Sequence, residues 1–108
     1  MAEKIYNKLV RDLIPAVIEK DGNACTFSIA PPEEHAALLD QKMQEEMQEY
    51  LESHAPEELC DLVEVIRARL QLMGCTWEDM ETLRLQKRQS RGGFEKGVVL
   101  HTVTEKEK

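Results

Sequence analysis

The chain has 108 residues, of which 42% are hydrophobic and 32% charged, and this size predicts a single domain over residues 1–108. Its formal net charge of −7 argues against a nucleic-acid backbone as the main partner, although a bound metal could still attract a small phosphorylated molecule. No stretch approaches the roughly 18 apolar residues of a membrane span, so no membrane partner is expected.

The cysteines and the N-terminal residues indicate a compartment. Cys25, Cys60 and Cys75 have no CxxC spacing, and three cysteines cannot all pair with one another. Residues 1–10 lack the apolar run of a secretory signal. We therefore expect a protein of the reducing cytoplasm.

The first third of the chain predicts one short helix and one strand. A proline in the first turn and a glycine at the stop favour a helix from about Leu13 to Lys20. Residues 25–29 alternate and are rich in strand-forming side chains, and the proline pair at 31–32 ends that strand.

A second helix is predicted from about Pro32 to Ser53, where apolar residues recur at helical spacing. They form one stripe: Ala36, Leu39, Met43, Met47, Tyr50 and Leu51. Glu46 lies at the border of this stripe, where a glutamate that only meets water would be unusual.

The third helix, from about Pro56 to Met73, is apolar over well over half of its circumference. We expect such a helix to be buried on several sides, at the centre of a bundle or at a dimer contact. Glu58 projects inside the apolar arc and Asp61 lies at its edge. Removing a carboxylate from water costs several kcal/mol unless it is paired or bound.

The rest of the chain predicts a fourth helix, capped by Thr76 and running to about Gln89. Glycines then break it, and residues 94–103 have strand character. They could pair with residues 25–29 as a small two-stranded β element, which must pack against the helices to be stable. The predicted fold class is therefore mainly α, a helical bundle.

Four acidic residues form two pairs at a spacing of three, and the members of each pair share a helix face. The pairs are Glu46 with Glu49 and Glu58 with Asp61. Two such helices side by side would bring four carboxylates together, which predicts a hard divalent cation, Mg²⁺, with Mn²⁺ as a substitute. The alternative is that these are ordinary solvated helix charges.

Basic residues form three groups: Lys8 with Arg11, Lys42 beside Glu46 and Glu49 on the second helix, and Lys87, Arg88, Arg91 and Lys96 near the C-terminal glycines. The glycines at 92 and 93 could let backbone amides approach a phosphate. Composition alone favours the simpler interpretation, a turn between helix and strand with solvated charges.

These residues resemble a known family. The pattern Lys42-x-x-Glu45-Glu46-x-x-Glu49, followed by Glu58-x-x-Asp61, is similar to that of the all-α nucleotide pyrophosphohydrolases, the MazG-like superfamily, which includes phosphoribosyl-ATP pyrophosphohydrolase. The segments Tyr6–Pro15 and Arg91–Gly97 look like the signatures at the two ends of a small single-domain branch.

The resemblance implies a dimeric or larger helical bundle that hydrolyses a nucleoside triphosphate, including a non-standard or excess one, between its α and β phosphates. By motif matching, the Mg²⁺ ligands are Glu46, Glu49, Glu58 and Asp61. The catalytic set comprises Lys42, Glu45, Glu46 and Glu49; Lys42 would meet phosphate, and Glu45 would act as an outer ligand or activate water. Five further basic positions would bind phosphate: Lys8, Arg11, Lys87, Arg91 and Lys96.

Three other interpretations stay open. Phosphoribosyl-ATP pyrophosphohydrolase itself ranks lower, because the end segments fit the small separate branch better. A non-catalytic helical oligomer could bind a nucleotide or a protein through its apolar third helix. A purely structural bundle predicts that Mg²⁺ leaves thermal stability unchanged, whereas a real site raises it by mass action.

Overall fold

A computed structural model describes residues 2–106, and in this part of the chain it contains four α-helices. They are α1 (Ile14–Lys20), α2 (Pro32–Ser53), α3 (Pro56–Leu72) and α4 (Trp77–Arg91). The predicted mainly-α class is confirmed. Within the described range, no helix combines the length and apolar character needed to cross a membrane.

The chain divides into two compact units between Thr76 and Trp77. The first contains α1, α2 and α3, and the second contains α4 and the segment after it. A single domain over residues 1–108 stays a prediction, because two compact units can belong to one domain.

The helix boundaries follow from local sequence signals. Each of α1, α2 and α3 has a proline in its first turn. Proline is tolerated there because backbone N–H groups of the first turn have no partner within the helix. At the end of α2, His54 adopts the left-handed conformation (φ 55°, ψ 25°) and donates its N–H to the carbonyl of Tyr50. Only His54 and Ala55 lie between α2 and α3, so the two helices form a tight hairpin.

The hairpin is antiparallel, as pairs of residues at its two ends show. Arg69, near the end of α3, donates from Nε to Oδ1 of Asp40, in the first half of α2, at 2.8 Å. Glu46, later in α2, lies beside Glu58 at the start of α3. Among residues 2–106, Leu39 is the one apolar side chain that is buried, and it lies on α2.

The third helix is less buried than its composition predicts. No residue of α3 is buried, and Leu59 and Val63 are each 43% exposed. One antiparallel neighbour can cover only one face of a helix, so the wide apolar arc exceeds what α2 covers. Burial on several sides, as expected from sequence, is therefore not found among the described residues of the first unit.

The two-stranded β element does not form. Residues 25–29 and 94–103 have no regular secondary structure, and no strand occurs anywhere between residues 2 and 106. Their apolar side chains are open to water, with Ile29 86% and Phe94 99% exposed. The alternating pattern did not suffice because a strand pair without a packed face is marginally stable.

Candidate metal centre

Three carboxylates converge between α2 and α3. Glu46 on α2 and Glu58 and Asp61 on α3 each offer an oxygen, and these oxygens all lie within 4.8 Å of one another. Divalent ions hold carboxylate oxygens at roughly 2.0 to 2.6 Å, so one ion can span such a group. The antiparallel hairpin creates the cluster, because the one-turn spacing of Glu58 and Asp61 directs both towards the same stretch of α2.

Glu46 is the distinctive member of the cluster. It is 6% exposed and is the one polar residue that is buried in the described part of the chain. Its Oε1 lies 3.3 Å from Nζ of Lys42, while its Oε2 is buried without a hydrogen-bond donor among the described residues. A buried oxygen for which the described residues supply no donor, on a carboxylate next to two others, is an environment that a divalent cation would stabilise.

The electrostatics of Glu46 agree with that interpretation. Burial raises the pKa of the Glu46 carboxyl, and the neighbouring Glu49 raises it further, while Lys42 opposes both effects. The protein therefore does not supply enough positive charge to compensate this carboxylate. A bound divalent ion would supply that charge and favour the ionised form.

Lys42 lies among the acids of its own helix. Its Nζ is 3.5 Å from Oε2 of Glu45 and 3.3 Å from Oε1 of Glu46. The side chains of Lys42 and Glu45 are both half-buried, which strengthens such contacts relative to fully exposed ones. The ammonium thus orients the two carboxylates and remains at the edge of the cluster.

Glu49, the fourth ligand that the motif match implies, is exposed and lies outside the group of three converging carboxylates. It is nevertheless close enough to Glu46 to raise the pKa of that residue. Its role as a ligand stays a prediction.

The segment before α1 reaches this cluster. Nη2 of Arg11 donates to Oδ1 of Asp61 at 2.7 Å. Further back in the chain, Asn7 adopts a left-handed backbone (φ 46°). The segment borders a narrow cleft on α2, lined by Asn7, Lys8, Leu9, Leu38, Gln41, Lys42 and Glu45. Residues 7–11 therefore bring the predicted phosphate-binding side chains of Lys8 and Arg11 to the hairpin.

The remaining predicted basic residues, Lys87, Arg91 and Lys96, are exposed in the second unit. There, Arg88 donates to Glu95 at 2.7 Å and closes the turn that follows α4. A Cβ on Gly93 would overlap these two side chains, and Gly92 has a left-handed φ of 84°. Gly92 thus has a structural reason in the turn, whereas the flexible side-chain ends near Gly93 could move aside, and no strand follows in the described part of the chain.

Two ion pairs that involve the hairpin were not predicted from the sequence: Arg11 with Asp61 and Arg69 with Asp40. Arg69 lies within the apolar arc of α3, near the end of the helix, where the sequence by itself predicts a side chain that extends its charged end to water, and nothing in the sequence identifies Asp40 as a partner. The Arg11 pair joins residues that lie fifty positions apart and has no local signal.

Comparison of the chain with protein-family models, with curated proteins and with solved structures found no match. The chemistry of the cluster is therefore what indicates a function. Three converging carboxylates, one of which has a buried unsatisfied oxygen, can hold a hard cation, and Lys42, Lys8 and Arg11 can attract an anion beside it. A cation next to basic side chains suits a phosphorylated ligand.

Proposed function

We propose that this protein is a Mg²⁺-dependent nucleotide pyrophosphohydrolase, which converts a nucleoside triphosphate, including a non-standard or excess one, into a monophosphate and pyrophosphate. The observation that carries the proposal is the buried Glu46 carboxylate, beside Glu58 and Asp61, whose Oε2 has no donor among the residues that the structure describes. The resemblance of the acidic motifs to the MazG-like superfamily supports it.

The residues of the cluster have distinct roles in this proposal. Glu46, Glu58 and Asp61 would hold the ion, with Glu49 as the fourth ligand that the motif match implies. When bound, Mg²⁺ would neutralise phosphate charge and lower the pKa of a water molecule. Mn²⁺ would serve in its place, because it accepts the same oxygen ligands.

The other side chains act on the phosphates and on water. Lys42 lies at the edge of the cluster, and Lys8 and Arg11 approach it from the N-terminal segment, so these cations can neutralise and orient a phosphate chain. Glu45, half-buried and paired with Lys42, can accept a proton from the attacking water. The overall reaction adds one water across the α–β anhydride. Lys87, Arg91 and Lys96 stay proposed phosphate contacts.

Two broader statements belong to the same proposal. We infer a homodimer or larger homo-oligomer, because the apolar arc of α3 is incompletely covered within the chain, as the exposure of Leu59 and Val63 shows. We also infer a cytoplasmic location, which the three free cysteines support.

A panel of nucleoside triphosphates, with and without Mg²⁺, would test the activity by measuring released pyrophosphate. Glu46→Gln and Asp61→Asn should abolish turnover, because each removes a proposed ligand. Asp40→Asn is the matched control, since Asp40 is an acid of the same hairpin that pairs with Arg69 outside the cluster. Absence of Mg²⁺-dependent turnover on every nucleotide, or full activity in both cluster variants, would contradict the proposal.

A second candidate is a non-catalytic helical oligomer that binds a nucleotide or a protein partner. The exposed apolar side chains of α3 favour it, because an association surface needs no catalytic groups. Calorimetry that shows nucleotide binding without any pyrophosphate release would support this candidate over the enzyme. Phosphoribosyl-ATP pyrophosphohydrolase stays the enzymatic alternative. If the protein, expressed in a histidine-requiring strain that lacks this step, restored growth without histidine, the result would identify that activity.

A further inference from the structure

The side chain of Arg11 pairs with a carboxylate that a bound cation would also need. Its Nη2 donates to Oδ1 of Asp61 at 2.7 Å, and Asp61 is one of the three converging carboxylates. A guanidinium and a divalent cation repel each other, and both take the same carboxylate as partner. The ion pair is therefore in direct competition with the proposed metal.

The ion pair is also easy to break. The side chains of Arg11 and Asp61 are 57% and 40% exposed, and ion pairs with such access to water contribute little to stability. The backbone of Arg11 is held independently, because its carbonyl accepts the N–H of Ile14 at 3.0 Å at the start of α1. The side chain can thus leave Asp61 while the backbone stays beside the cluster.

The geometry points to Arg11 as an exchangeable counter-ion, a role that depends on the proposed function. Without metal, Arg11 neutralises Asp61 and covers one side of the cluster. When a divalent cation enters, Asp61 turns to the cation and the guanidinium of Arg11 becomes free. It then offers its N–H groups to the phosphate of the incoming nucleotide, which is the anion that the cation attracts. Metal binding thereby prepares the phosphate contact.

The buried oxygen of Glu46 explains why the cation prevails. Arg11 donates to Asp61, but neither it nor any other residue between 2 and 106 donates to Oε2 of Glu46. A cation between the helices would compensate all three carboxylates together. Its favourable interaction with them would therefore exceed the single ion pair that Arg11 gives up. Lys42 stays with Glu46 and Glu45 and does not need to move.

Calorimetric titration with Mg²⁺, and separately with Mn²⁺, in the absence of nucleotide tests this exchange. Arg11→Gln should bind the cation about two- to fivefold more tightly than the unaltered chain, since the competing pair is gone. Arg69→Gln removes an equivalent arginine–aspartate pair of the hairpin and should leave the affinity unchanged. Lys8→Gln removes a nearby positive charge without a contact to Asp61 and should have a smaller effect than Arg11→Gln.

A measurement on the unaltered chain keeps the test independent of how the variants fold. Nitrogen-edited NMR of the arginine side chains should show that the guanidinium N–H groups of Arg11 exchange faster with water as Mg²⁺ is added. The Mg²⁺ concentration at the midpoint of this change should agree with the dissociation constant from calorimetry. The signals of Arg69 should stay unchanged.

The outcomes separate the two proposals. Equal or weaker cation binding by Arg11→Gln, an equal effect of Lys8→Gln, or an unchanged Arg11 exchange rate would overturn the counter-ion role alone. Lack of divalent-cation binding by the unaltered chain would overturn that role together with the proposed function.

Discussion

The ammonium of Lys42 lies 3.3 Å from Oε1 of Glu46, one helical turn away, and does not satisfy the second oxygen of that carboxylate. Glu46 is thus half compensated, in the most buried polar position that the structure describes. An arrangement of this kind lowers stability in the absence of a ligand and prepares the site for a cation.

The first prediction is that Glu46→Gln makes the metal-free protein more stable at pH 7. The amide removes a buried charge and can donate to Glu58 or Asp61, so we expect a gain of about 1 kcal/mol in the free energy of unfolding. Thermal unfolding in a chelator measures it. With Mg²⁺ present, the unaltered chain should gain stability and the variant should not, because the site has lost its buried ligand.

Glu45→Gln is the matched control for that experiment. Glu45 precedes Glu46, pairs with the same Lys42 and is half-buried, so its variant should change the stability of the metal-free protein only slightly. A loss of stability in Glu46→Gln, or an equal gain in both variants, would contradict the interpretation of Glu46 as an uncompensated buried acid.

The second prediction concerns pH. The pKa of Glu46 is raised above the ordinary value of 4.5, so the metal-free folded chain takes up a proton more readily than the unfolded chain. Protonation of Glu46 therefore stabilises the folded chain. The stabilisation is fully present below the pKa of the unfolded chain and is lost as pH rises through the pKa of Glu46 in the folded chain. The stability advantage of Glu46→Gln over the unaltered chain should therefore be absent in acid and appear above that pKa.

Cation binding should have the opposite dependence on pH, because only the ionised carboxylate is a ligand. The affinity for Mg²⁺ should rise as pH increases through the raised pKa of Glu46 and then level off. Calorimetry across this range measures the rise. An affinity that levels off below pH 4.5, the ordinary value, would show that Glu46 does not control binding.

The third prediction is that two substitutions move the pKa of Glu46 in opposite directions. Glu49→Gln removes a neighbour that raises the pKa, so the pKa should fall. Lys42→Gln removes the group that lowers it, so the pKa should rise further. Carbon-detected NMR titration of the Glu46 carboxyl in the metal-free protein reports both values. A shift in the same direction for both variants would show that the substitutions act by rearranging the helix rather than through charge.

The fourth prediction is self-association through the apolar side of the α2–α3 hairpin. Met47 and Leu51 lie one turn apart on α2, as do Leu59 and Val63 on α3, and all four side chains are at least 43% exposed. Because the helices are antiparallel, the step from Glu46 to Met47 and the step from Glu58 to Leu59 turn in opposite senses when viewed along one axis, and both lead to the same side of the hairpin. The four residues therefore share one side, next to the candidate metal centre.

Sedimentation equilibrium should show a dimer or larger oligomer of the unaltered chain, and Leu59→Glu or Val63→Glu should convert it to a monomer. Glu64→Lys is the control: Glu64 follows Val63 but lies about 100° further around α3. A monomeric unaltered chain, or an oligomer that survives both apolar-to-glutamate variants, would exclude this surface.

Much of the secondary structure could be predicted because its causes are local. The bounds of α2 agree with the expectation at both ends, since proline at 32 and the apolar period around Leu39 act within a turn or two of chain. Prediction failed at residues 25–29, where an alternating pattern needs a partner strand and a packed face that the pattern itself does not provide.

The candidate site divides in the same way. Sequence by itself determined that Glu46 borders an apolar stripe and that Glu58 and Asp61 share a face, because helical spacing alone places them. Only the tertiary structure decided that these three converge while Glu49 lies outside, that Oε2 of Glu46 finds no donor in the described part of the chain, and that Arg11 reaches Asp61. Those facts depend on how the hairpin closes and on the path of the N-terminal segment. Contacts between residues far apart in the chain produce no repeating pattern in the sequence, so the sequence does not reveal them.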